Sequence, residues 1–158
     1  MATKDWPLEF VRCKVPHCIP KELIENVKGR TFSAEEFYAY QARNVDNPNN
    51  YIFALIDTAK RIHGFLWAEQ NMLDGSLFVN TFSMGKEHWG KGTAIPKVVE
   101  FLKNFSQKVQ AKRTYWSTCN EKFFAKHGFK RSKWTLMEYQ DKIDYTSPKR
   151  EKVINGPE

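Results

Sequence analysis

The hydrophobic period of this chain changes from two residues to about 3.6 across one short glycine-bearing run, and that change restricts the fold more than any other feature. Residues 76–84 alternate as a strand, whereas Ile95, Val98, Val99, Leu102, Phe105 and Val109 recur along one stripe of a helix. Between them stands His88-Trp89-Gly90-Lys91-Gly92-Thr93-Ala94. A helix start presents backbone N–H groups with no internal partner and the positive end of a dipole, which together attract anions. Gly90, Gly92 and Ala94 leave room for a pyrophosphate to approach that backbone, and Lys86, Lys91 and Lys97 suit a phosphorylated ligand. Pro96 fixes the helix start close to the glycines, because only in a first turn does its missing N–H cost nothing. A turn that merely joins strand to helix has the same composition, so the run by itself leaves both readings open.

The rest of the chain supplies elements to pack around this junction. Residues 8–15 alternate as a first strand, and Pro16 and Pro20 then punctuate a turn before a short helix over 21–28. Ser33 and Glu36 have capping-box spacing, with Phe32 and Phe37 at the staple positions, which predicts a helix running to about Arg43. Residues 44–50 read as a loop, 51–57 as a strand and 62–70 as a returning strand. Asp74-Gly75 is a tight-turn signal before the central strand over 76–84. Beyond the long helix, 113–118 forms a strand, Asn120 caps a short helix through His127 with Gly128 as its terminator, and 134–139 closes the sheet.

A chain of 158 residues, 41% hydrophobic, has room for one domain with a complete core, here 1–142, followed by a polar tail over 143–158. No apolar run is long enough to cross a bilayer and the N-terminus lacks a signal-peptide core, so the sequence predicts a cytoplasmic protein with no membrane partner. Three cysteines, Cys13, Cys18 and Cys119, follow no repeated spacing, and reduced thiols are the expectation. Cys13, His17 and Cys18 find no fourth ligand at matching spacing, so no metal is expected there, and Cys119 lacks a paired His for nucleophilic work. The net charge of +7 suits an anionic partner. Trp116, Phe123, Phe124, Phe129 and Trp134 cluster around one strand and helix, as core aromatics do, which makes nucleic acid the weaker candidate.

The run HWGKGTA resembles the cofactor-binding motif of the GNAT superfamily of acyl-CoA-dependent N-acetyltransferases, Arg/Gln-x-x-Gly-x-Gly/Ala. Trp89, Gly92 and Ala94 fall on its three defining positions, with Trp in place of Arg or Gln. Phe123-Phe124-Ala125-Lys126-His127-Gly128-Phe129 is similar to the family's second motif, Phe-Tyr-x-x-x-Gly-Phe. The order strand, two helices, three strands, helix, strand, helix, strand carries the resemblance over nearly the whole domain. It implies an α+β fold, a mixed and mostly antiparallel sheet flanked by helices and splayed after its central strand.

The resemblance also implies acetyl-CoA as co-substrate and an amine as acceptor: a small amine, a protein N-terminus or a lysine. The Met84 N–H is expected to donate to the thioester oxygen, and the amides of Gly90, Lys91, Gly92, Thr93 and Ala94 to hold the pyrophosphate. The central strand carries no acid or His, so Glu69 on the preceding strand is the candidate base, with Asp74, Glu87 and His88 behind it. The family's general-acid tyrosine falls on Phe124, which has no proton to give; by the resemblance Ser117 occupies the position where the family often has Asn beside the pantetheine arm, so Ser117, the neighbouring Tyr115 or water is the expected substitute. A retired domain that keeps the fold for binding is the alternative, and oligomeric state is left open.

Overall fold

Apolar side chains on both faces, Tyr51, Ile52, Phe53, Ala54 and Leu55, make β2 (Asn50–Ile56) an interior strand in the computed structural model, which describes residues 6–27, 32–117 and 121–133. β2 pairs antiparallel with β1 (Glu9–Arg12) and with β3 (Ile62–Gln70), β3 pairs antiparallel with β4 (Leu77–Met84), and β4 pairs parallel with β5 (Thr114–Trp116). The strand order is therefore β1-β2-β3-β4-β5. The parallel step comes where the chain crosses over through α3 (Ala94–Lys108), as a parallel connection requires.

Strand alternation divides the core between the two faces. Tyr51, Phe53, Leu66, Ala68, Leu77 and Val79 meet Val98, Leu102 and Phe105 of α3. Ile52, Ala54 and Phe65 meet Leu23 and Ile24 of α1 (Lys21–Glu25) and Ala34 and Phe37 of α2 (Ala34–Arg43) on the other face. Burying a side chain of the Leu, Ile or Phe kind stabilises the fold by about 1.5–3 kcal/mol. α2 begins as its sequence predicts: Ser33 Oγ accepts from the Glu36 N–H at 3.0 Å, and Glu36 Oε1 accepts from the Ser33 N–H at 3.1 Å. The Phe32 and Phe37 ring centroids lie 6.1 Å apart across this cap. α4 (Glu121–Ala125) ends in a left-handed terminator at Gly128 (φ +91°), where the Phe129 N–H reaches Phe124 O and the Gly128 N–H reaches Ala125 O.

Several elements are shorter than their sequence patterns. β1 covers four residues, α1 five and β5 three. The expectation of reduced thiols is corrected: Cys13 and Cys18 are joined in a disulfide, with Cα atoms 6.7 Å apart. The cause is local, because the 3₁₀ turn Pro16–Cys18 folds the chain back on itself, and an argument from cysteine counts does not see that turn. The Asn120 cap, Cys119, the strand over 134–139 and the tail over 143–158 lie outside the described residues. Among the described residues, no helix is long and apolar enough to cross a membrane.

Candidate functional site

Strand β4 carries an irregularity that opens the sheet. Trp67 faces Thr81 and Ala68 faces Val79, so Asn80 is an extra residue of β4 with no partner on β3. This bulge reverses the side-chain alternation: Leu77 and Val79 before it, and Phe82 and Met84 after it, all turn toward the α3 side. Thr81 and Ser83 are buried in turn, and Ser83 Oγ donates to Leu23 O of α1 at 2.7 Å. Among the described residues, β5 pairs with β4 only along Leu77, Phe78 and Val79. Past the bulge, the β5-facing edge of β4 is open among the described residues.

A cleft of about 670 Å³ fills that gap. Asn80, Thr81, Phe82, Ser83 and Met84 form its floor, Trp116 and Ser117 one wall, Asn26 and Val27 another, and His88, Trp89, Gly90, Gly92, Ala94 and Ile95 the rim at the start of α3. The Gly85 N–H donates to His63 O at 2.8 Å and so points at β3. Alternation therefore turns the Met84 N–H and C=O the other way, into the cleft. Trp89 Nε1 donates to that Met84 carbonyl at 3.0 Å and pins the loop to the strand end.

The loop has the conformation that the glycines permit. Gly90 and Gly92 take φ of +75° and +67°, and a side chain at either would meet nothing within 4 Å. Gly92 is followed by Thr93 in the right-handed region, an alternation that gathers backbone N–H groups into an anion-binding concavity. Thr93 caps α3 without a side-chain hydrogen bond, the first turn carries no acid, and Pro96 sits within that turn.

The cleft brings together Met84, Trp89, Gly90, Gly92, Ala94 and Ser117 of the sequence-predicted site. Lys91 and Thr93 are exposed on the same loop, outside the lining. Phe124 is buried behind Trp116, its ring 4.8 Å away by centroids, so it backs the wall instead of forming it. Tyr115 stacks on the exposed Phe78, centroids 4.9 Å apart, away from the cleft. Glu69 lies beside the cleft and reaches it through Asn80, whose Nδ2 donates to Glu69 Oε1 at 2.6 Å. Tyr40 of α2 donates its hydroxyl to Glu69 Oε2 at 2.7 Å, and this bond, with burial, pushes the Tyr40 phenol up to about 12.

Two features escaped the sequence reading. Asn26 lines the cleft with its Nδ2 buried and, among the described residues, without a hydrogen-bond partner, although its position after a short helix carried no signal. His88 is joined at the rim by His63 of β3, Nε2 to Nδ1 at 3.0 Å, and His63 Nε2 lies 2.8 Å from Asp57 Oδ2. His63 and Arg61 together hold the Asp57 carboxyl well below the usual range, while burial lowers His88.

No protein-family model matches the sequence, and no curated protein matches it. Solved structures do match its fold. A possible acetyltransferase from Clostridium difficile 630 superposes with a TM-score of 0.67 at 10% identity, over 84% of this chain and 97% of the other. Glucosamine-6-phosphate N-acetyltransferase from Arabidopsis thaliana superposes with a TM-score of 0.57 at 17% identity, over 85% and 99%. AAC(6')-Iy in complex with the bisubstrate analog CoA-S-monomethyl-acetylneamine superposes with a TM-score of 0.62 at 9% identity, over 85% and 98%.

Proposed function

We propose that this chain, whose fold is that of the GNAT acetyltransferases, moves an acetyl group from acetyl-CoA directly to a primary amine. One observation carries the reading: the uncapped start of α3, with its two left-handed glycines, opens into the cleft at the point where β4 and β5 part. The fold neighbours agree with it, one of them in complex with a CoA bisubstrate analog.

In this reading the amides from Gly90 to Ala94 receive the pyrophosphate, with Lys91 beside them as a solvent-side cation. The pantetheine arm runs between β4 and β5 along Phe82 and Trp116. The thioester oxygen then accepts from the Met84 N–H, which is aimed before the substrate arrives and so costs no reorganisation as negative charge develops. The amine attacks the thioester carbon, a tetrahedral oxyanion forms, and its collapse expels coenzyme A thiolate. Deprotonation of the acceptor falls to Glu69 through a water held by Asn80, since Asn80 lines the cleft and its side chain is bonded to the Glu69 carboxylate. Ser117 is the hydroxyl of the wall and the candidate proton source for the thiolate. The unpartnered Asn26 amide offers a donor to a carbonyl or hydroxyl of the acceptor.

The test is a thiol-release assay with acetyl-CoA across a panel of small amines, lysine-containing peptides and free-N-terminus peptides. Acceptor-dependent release that Ser117→Ala slows supports the assignment. Release that no amine stimulates, in a protein that binds the cofactor, would leave a fold that binds without transferring.

A further inference from the structure

We propose that His63, Glu87 and His88 form a binding site for a zinc-class divalent cation on the rim of the cleft. The proposal rests on the geometry of three side chains and does not depend on acetyl transfer. His63 Nδ1 and His88 Nε2 lie 3.0 Å apart, and Glu87 Oε1 lies 3.6 Å from each of them. A tetrahedral ion with ligand bonds of about 2.0–2.1 Å needs ligand atoms roughly 3.4 Å from one another, so these three already describe one face of its tetrahedron. Two imidazoles and one carboxylate form a donor set that zinc uses when its fourth position is left for water. That position is available, because Glu87 is largely exposed and the two imidazoles are about one-fifth exposed.

The surroundings hold the ligands as a metal site requires. The ligands come from two segments, His63 from β3 and Glu87 with His88 from the 3₁₀ turn Lys86–His88, and the Gly85 N–H bond to His63 O fixes one segment on the other. His63 uses its other nitrogen, Nε2, on Asp57 Oδ2. Asp57 is itself held by the backbone N–H groups of Ala59 and Arg61 and by Arg61 Nε. A carboxylate behind a ligating imidazole selects the tautomer: with Nε2 protonated toward Asp57, His63 presents a lone pair at Nδ1. His88 in its Nδ1–H form then presents Nε2, and the contact between the two rings is replaced by two metal bonds. The bound ion would tie β3 to the turn that leads into the anion loop.

The probes are Zn²⁺ and Co²⁺ alone, added to the full chain after chelator treatment. Calorimetry with Zn²⁺ is expected to give one ion per chain, and Co²⁺ the visible absorption of a tetrahedral site with nitrogen and oxygen ligands. His63→Ala and His88→Ala should each abolish stoichiometric binding. Asp57→Asn, which leaves all three ligands in place, should weaken it by about 10- to 100-fold. Circular dichroism establishes that each variant is folded, and Glu87→Gln on the exposed turn serves if His63→Ala fails to fold. Absence of stoichiometric binding in the wild type, equal affinity in folded His88→Ala, or a thiolate-to-cobalt charge-transfer band that places the ion on a cysteine would each overturn the proposal.

Discussion

Asn80, the unpaired residue of the β4 bulge, donates its side-chain amide to Glu69 Oε1 at 2.6 Å, which connects the carboxylate on β3 to the floor of the cleft. The bulge aims this side chain, because without the extra residue β4 would keep one alternation along its length. If Glu69 removes the acceptor proton through a water held by Asn80, Glu69→Gln keeps size and hydrogen bonding but lowers the acetylation rate by about 10²- to 10⁴-fold. Acetyl-CoA affinity should be unchanged. Turnover at the wild-type rate would make Glu69 a structural carboxylate.

Tyr40 gives the same carboxylate a pH signature. Its phenol is raised from 10.0 to about 12, so the Tyr40–Glu69 bond stabilises the fold fully below about pH 10 and loses that contribution as pH rises through 12. Thermal unfolding of wild type and Tyr40→Phe should therefore differ by a constant amount below about pH 10 and converge above it. Curves that stay parallel up to pH 12 would contradict this.

Gly64 limits what β3 can carry beside the cleft. A Cβ there would stand 2.6 Å from Ser83 O and collide with the Met84 side chain, and the carbonyl belongs to a paired strand that cannot yield. Gly64→Ala should cost about 1–3 kcal/mol in denaturant unfolding. It should also weaken acetyl-CoA binding, since Met84 is the residue displaced.

What the sequence disclosed, and what it hid, follows from the range of the interactions involved. The Ser33–Glu36 capping box, the Gly128 terminator and the stripe of Val98, Val99, Leu102 and Phe105 are written within a few residues, and each forms where its spacing predicts. The glycine loop was legible for the same reason. The Asn80 bulge was not, because it exists only in the register between β3 and β4. His63 and His88 stand 25 residues apart and meet only when Gly85 pairs with His63. Phe124, aligned by motif with a catalytic tyrosine, packs behind Trp116, since a five-residue helix sets which of its residues face the wall.

Gly92 offers a clean perturbation of the anion loop. Its φ of +67° strains any other residue by about 1–2 kcal/mol, but a side chain there meets nothing within 4 Å, so Gly92→Glu should fold. The new carboxylate would stand against the pyrophosphate at the positive end of α3.

Calorimetric titration of acetyl-CoA into the wild type and into Gly92→Glu tests most directly whether the cleft between β4 and β5 is a cofactor site. The account predicts one site of about micromolar affinity in the wild type, weakened by at least about 100-fold in the folded variant, or roughly 2.7 kcal/mol. No binding to the folded wild type, or equal affinity in the two proteins, would contradict it.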